Sequence, residues 1–79
     1  MTKKEYLESR GYIRRIVPEC RAYYYQKSFD NVFMVIDIQL DDFVIWTNSI
    51  RYQKDIDKLQ IAFNNVKRDF EEMQKYEEE

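Results

Sequence analysis

Residues 32–49 read VFMVIDIQLDDFVIWTNS, and the way this stretch is read decides the fold. Val32, Met34, Ile36, Ile38 and Leu40 alternate with Phe33, Val35, Asp37 and Gln39. That is the period-two pattern of a strand whose successive side chains point to opposite faces. Asp41 and Asp42 follow as a tight turn, and residues 43–49 form a second run rich in β-branched and aromatic side chains. A two-residue loop sets Leu40 opposite Phe43, Ile38 opposite Ile45 and Ile36 opposite Thr47, so that one face of the hairpin is nearly all apolar. The other face then holds Phe33, Val35, Asp37, Val44, Trp46 and Asn48, which is aromatic for a surface that meets only water.

Upstream of this hairpin, residues 20–26 are rich in tyrosine and read as a strand, and Ser28, Phe29, Asp30 and Asn31 read as the turn that follows. Residues 12–17 read either as a further strand or as a continuation of the first helix, and Pro18 ends either one. At the start of the chain, Thr2 and Glu5 have the spacing of a capping box. Gly11, the single glycine, stands where a left-handed residue stops a helix, with Tyr6 and Leu7 as its apolar contacts. A short helix over residues 2–10 is expected.

Downstream, Tyr52, Ile56, Leu59, Phe63, Val66, Phe70 and Met73 recur at alternating spacings of four and three, with Lys, Asp, Glu, Gln and Asn predominating between them. This predicts an amphipathic helix over residues 53–76. Such a helix is roughly 36 Å long at ~1.5 Å per residue, whereas a seven-residue strand reaches only about 23 Å. Its far half, Phe63, Val66, Phe70 and Met73, therefore overhangs a small sheet and needs cover from the first helix, a neighbouring subunit or a partner. The four-three spacing is also that of a coiled-coil seam, so a symmetric homodimer is the expected cover. The final Glu77, Glu78 and Glu79 lie where negative charge opposes the helix macrodipole, and fraying is expected there. An acidic helix can also imitate a phosphate backbone, although a solvated tail is the commoner role.

The expected fold class is thus α+β in a single domain, residues 1–79. It consists of a short N-terminal helix, an antiparallel meander of three strands or four, and a long C-terminal helix packed on one sheet face. A chain of 79 residues carries one small core, and a lone Cys20 without any histidine offers neither an intramolecular disulfide nor a conventional structural zinc site. The longest nearly uncharged stretch, residues 31–40, is far shorter than the ~20 apolar residues of a membrane span. With a charged N-terminus lacking a signal-like apolar segment, a cytoplasmic location is expected. The Tyr-, Lys-, Asn- and Ile-rich composition is of the kind that an AT-rich bacterial or phage genome encodes.

Enzyme chemistry finds few residues to work with. Without histidine the commonest general base and metal ligand are missing, and with a single glycine there is no phosphate-cradling loop. Asp37, Asp41 and Asp42 read as a turn and a solvated side chain before they read as metal ligands, and Cys20, with no partner base beside it, reads as a small buried core residue. No catalytic, cofactor or metal site and no small-molecule substrate is expected.

What remains is binding. The net charge is −2, but residues 1–27 carry seven Lys/Arg against three Glu, a net of +4, while residues 28–79 carry six against twelve, a net of −6. If Ala22 and Tyr24 face the core, then Arg21, Tyr23 and Tyr25 join Phe33 and Trp46 on the open sheet face. Such a set suits a protein interface, or stacking on single-stranded nucleic acid, with protein contact preferred because the chain is acidic and lacks a glycine-flanked aromatic motif. The leading expectation is a non-catalytic protein-interaction module, homodimeric through its long helix, its open sheet face or both. The alternatives are a small inhibitor or accessory protein that occupies a nucleic-acid enzyme through an acidic surface, and direct single-stranded nucleic-acid binding.

Overall fold

The computed structural model of the chain describes residues 1–20, 22–47 and 53–78, with side chains beyond position 52 described from Asp55 onward. Six elements follow in order: α1 (Lys3–Ser9), β1 (Ile13–Val17), β2 (Ala22–Phe29), β3 (Val32–Asp37), β4 (Asp42–Thr47) and α2 (Gln53–Met73). The strands form one antiparallel sheet in the order β1-β2-β3-β4, and α2 packs against β3 and β4 and meets α1. This is the expected α+β architecture, with residues 13–17 taken up as the fourth strand. No helix among the described residues is long and apolar enough to cross a membrane.

The first helix is built as its sequence dictates. The Thr2 hydroxyl accepts from the Glu5 amide and the Glu5 carboxylate accepts from the Thr2 amide, a complete capping box that also draws the Glu5 carboxyl below its usual range. At the other end Gly11 adopts φ +94°, the Gly11 amide donates to the Glu8 carbonyl and the Tyr12 amide to that of Leu7. This is the Schellman arrangement, and its apolar partners Leu7 and Tyr12 both enter the core. Lys27 donates to the Arg10 carbonyl at 2.8 Å.

The strands differ from expectation in their ends. β2 runs on to Phe29, and the loop to β3 is Asp30-Asn31, with Asp30 at φ 53° in the left-handed region that a short polar side chain tolerates. β3 stops at Asp37 rather than at Leu40, and the β3–β4 loop has four residues rather than two. The Asp37 carboxylate accepts from the Leu40 amide and Asp41 takes φ 55°, so the acidic residues at both ends of the loop close it early. The pairs are therefore Ile36 with Phe43, Met34 with Ile45 and Val32 with Thr47, instead of the expected Leu40–Phe43, Ile38–Ile45 and Ile36–Thr47. The shift is even, so every side chain keeps its face. Leu40, expected in the core, is exposed in the loop, while Ile38 stays buried.

The core lies between the sheet and the two helices. Val32, Met34 and Ile36 from β3 and Tyr25 from β2 meet Ala62, Val66 and Met73 from α2 and Leu7 from α1, all essentially inaccessible. Asp69 is buried in this company at 1% exposure. It accepts from the Tyr12 hydroxyl at 2.9 Å and from Arg10 Nε at 3.2 Å, which latches the end of α1 onto α2. Burial, reinforced by the Asp69 charge, pushes the Tyr12 phenol well above its ordinary value.

Through Glu78 the chain does not fray as the acidic run suggests, and Glu79 lies outside the described residues. After α2 the chain turns through Gln74 and Lys75, Tyr76 stacks on Tyr6 at 5.2 Å, and the Glu77 carbonyl accepts from the Lys3 amide at 2.8 Å. Thr2 and Glu77 form a parallel bridge, and Glu78 lies 3.7 Å from the Lys3 ammonium. Glu77 and Glu78 thereby leave the unfavourable end of α2 for the favourable N-terminal end of α1.

Candidate interaction surface

Two groups of residues stand out in the sequence as contact candidates, and the structure separates them. On α2, Val66 and Met73 are fully buried, Phe70 is half-buried with its ring 5.1 Å from that of Phe43, and Phe63 remains 40% exposed beside Phe43. Val66 and Met73 are therefore core residues and present no surface to a partner. The physical reason is that α1 and the turn after α2 supply the cover that the length of the helix calls for. A helix of 21 residues, about 31 Å long, does outrun strands of six, about 20 Å, but Leu7, Tyr6 and Tyr76 close over its far end. Val66 and Met73 thus give no motive for a dimer, while Phe63, Ile56 and Ile61 stay exposed on α2. The first residue of its expected stripe, Tyr52, lies outside the described residues.

The sheet candidates divide by parity. Tyr25 pairs with Ile36, whose side chain is buried under α2, so Tyr25 points the same way and is 0% exposed. Tyr23, two residues earlier, lies on that side too and packs against the core, with the Arg14 guanidinium 4.5 Å over its ring. The sequence places both on the open face, with Ala22 and Tyr24 inside, and the order is the reverse. The run of tyrosines has no polar alternation, so only pairing with β3 assigns its faces. Arg21, the third member of that set, and Asn48 lie outside the described residues.

Phe33 and Trp46 are on the face away from the helices, stacked as a cross-strand pair with ring centroids 4.3 Å apart. Around them the strand registers lay out the rest of the surface in rows. One row runs Ile13, Gln26, Val35, Val44 across the four strands, and the next runs Ser28, Phe33, Trp46. On the other side, Arg15 pairs with Tyr24 and Asp37 with Asp42, and one step beyond the Tyr25–Ile36 pair these couples fall in a single row. Ile13 is 58%, Val44 51% and Trp46 44% exposed. No element of the described chain covers this face, since α2 and α1 both lie on the other side.

At the β3–β4 end the surface dips into a shallow concavity of about 220 Å³ lined by Tyr24, Val35, Asp37, Leu40, Asp42, Phe43 and Val44. Its walls are apolar and its rim carries two carboxylates. Among the described residues neither Asp37 nor Asp42 forms an ion pair, and neither does Arg15 at the other end of their row. Sequence reasoning does not single out Ile13, Arg15, Tyr24 and Leu40 as members of this face. Ile13 and Arg15 are hidden because residues 12–17 read either as strand or as helix, and Leu40 because a two-residue loop would keep it within the strand.

Chemically, the face offers an aromatic stack, several β-branched side chains, one guanidinium and two carboxylates. Among the described residues no three side chains of the metal-ligating types converge, and Cys20, expected in the core, is exposed because the β1–β2 turn carries it away from the sheet's packed face. Searches against protein-family models, curated proteins and solved structures find no match to this chain.

Proposed function

We propose that this chain is a non-catalytic protein-interaction module whose contact surface is the open face of its sheet. The observation that carries the reading is the one-sided cover. An antiparallel sheet with one wet face normally alternates apolar-in with polar-out, yet here the outward positions of β3 and β4 include Phe33, Val35, Val44 and Trp46. Each large apolar side chain withdrawn from water contributes roughly 1.5–3 kcal/mol, so a partner that covers several of them gains enough to offset the cost of association. Aromatic residues with an arginine nearby are also the composition that interface centres favour.

The face suits protein better than nucleic acid. With Tyr23 and Tyr25 turned inward, its described charges are Arg15 against Asp37 and Asp42, and two carboxylates repel a phosphate backbone. Titration with single-stranded oligonucleotides at low salt is expected to leave the fluorescence of Trp46, the only tryptophan, unchanged.

Site-specific photo-crosslinking in the cell of origin tests the proposal. A photoreactive phenylalanine analogue in place of Val44 is expected to trap a protein adduct that the same analogue in place of Lys67, on the outer side of α2, does not give. Absence of any protein adduct specific to position 44 removes the reading.

A further inference from the structure

We infer that the occupant of the open sheet face is a second copy of this chain, packed face to face about a two-fold axis parallel to the strands and passing between β2 and β3. The inference rests on the reading of that face as a contact surface and goes beyond it by naming the partner and the geometry. Its basis is the row Arg15, Tyr24, Asp37, Asp42, which places one cation over β1 and two anions over β3 and β4, none of them in an ion pair among the described residues. A two-fold axis along the strands maps each row onto itself in reverse, so β1 of one copy lies over β4 of the other. Arg15 of the second copy then meets Asp42 and Asp37, and the same contact recurs symmetrically, as an isologous interface requires.

The apolar rows agree with the same operation. Ile13 of one copy falls on Val44 of the other, joining two of the most exposed aliphatic side chains of the face. The concavity of about 220 Å³ beside Asp37 and Asp42 has carboxylates at its rim and Tyr24, Val35 and Val44 along its walls, a shape that takes an arginine with its apolar stem inside and its guanidinium paired. Aligned sheets pack about 10 Å apart with a modest twist between them, which leaves room for these side chains to interdigitate. Four strands of about six residues make a face of roughly 20 by 20 Å. Two such faces withdraw roughly 800 Å² in projection, and more once side-chain relief is included, which reaches the ~1,000 Å² where specific interfaces begin. An unrelated partner has no reason to match both signs in the same row, whereas a second copy does so by symmetry.

Charge exchange on the full chain, followed by sedimentation equilibrium, tests this directly. Asp37 is left in place because it holds the β3–β4 turn. Arg15→Glu and Asp42→Lys, each confirmed as folded by circular dichroism, are expected to raise the dimer dissociation constant roughly tenfold or more, because each sets like charges face to face. An equimolar mixture of the two variants is expected to recover dimer. In the mixed pair the carboxylate introduced at position 15 meets the ammonium introduced at position 42, and the unaltered Arg15 of one copy meets the unaltered Asp42 of the other. A wild-type chain that stays monomeric up to millimolar concentration overturns the inference, as does a dimer indifferent to either exchange or a mixture that fails to recover. If the chain is monomeric while the crosslinker at position 44 traps a different protein, self-pairing falls and the contact surface stands. Absence of both dimer and adduct removes both.

Discussion

The two faces of the sheet are made by the same four strands, and adjacent residues of one strand meet opposite fates. On the helix side, Met34 and Ile36 are buried and a polar latch of Arg10, Tyr12 and Asp69 fixes α1 over the end of α2. On the open side, Phe33, Val35, Val44 and Trp46 belong to the same chemical classes but have no cover within the described chain. The difference teaches that an apolar side chain by itself says little about where it ends up. Its strand parity, and whether an element can reach it, decide whether it stabilises the monomer or remains available for contact.

The sharpest way to break the comparison is to truncate one residue on each side. Ile36→Ala is expected to cost about 2–5 kcal/mol of folding stability, because it opens a cavity in a closed core. Val44→Ala, measured by urea denaturation at concentrations where the chain is monomeric, is expected to cost less than about 1 kcal/mol, with strand propensity the main contribution. Comparable losses at both positions would mean that the open face is closed in the monomer after all.

Next in size is the latch. Tyr12→Phe removes a buried hydrogen bond to a carboxylate and is expected to cost about 1.5–3 kcal/mol, measured by the same denaturation. The same residue makes stability depend on alkaline pH. Its phenol holds its proton in the folded chain above the ordinary value of 10.0, so above that pH the unfolded chain carries fewer protons than the folded one. Stability is therefore full below about 10 and falls as the pH rises towards the folded-state value. Tyr12→Phe is expected to flatten that fall, leaving a smaller part from Tyr6, whose phenol is also raised by burial.

Smaller effects belong to the periphery. Gly11→Ala is expected to cost roughly 1–2 kcal/mol, since at φ +94° the backbone is strained by any Cβ, while the nearest atom to that Cβ, Lys27 Cε at 3.7 Å, leaves room for it. Lys58→Ala, which removes the exposed pair with Asp30 across the β2–β3 turn, is expected to change stability by less than about 1 kcal/mol. Thermal denaturation of the two variants side by side checks this order.

Much of the fold is legible because local chemistry and global structure agree. The Thr2–Glu5 capping box, the left-handed Gly11, the alternation in residues 32–36 and the spacing of apolar residues in α2 each carry a signal within a few positions. Phe33, Val35, Val44 and Trp46 can be assigned to one face because period-two alternation survives an error of register by an even number of residues. Tyr23 and Tyr25 cannot, because Ala22, Tyr23, Tyr24 and Tyr25 show no alternation to separate inside from outside. Asp69 is hidden for a different reason: a charged residue inside a helix reads as solvated, and its partners Arg10 and Tyr12 lie more than fifty positions away.

The sequence by itself determined the kind and order of every element except residues 12–17, the cap at each end of α1 and the apolar alternation of the central hairpin, since these depend on sterics and hydrogen bonds between near neighbours. Tertiary structure alone decided that α1 and the turn after α2 close over Val66 and Met73, that Glu77 and Glu78 fold back onto Lys3, and that Arg15 shares a row with Asp37 and Asp42. Those outcomes depend on which distant groups the chain can bring within a few ångströms of one another, a property of the assembled sheet and helices that no local window contains.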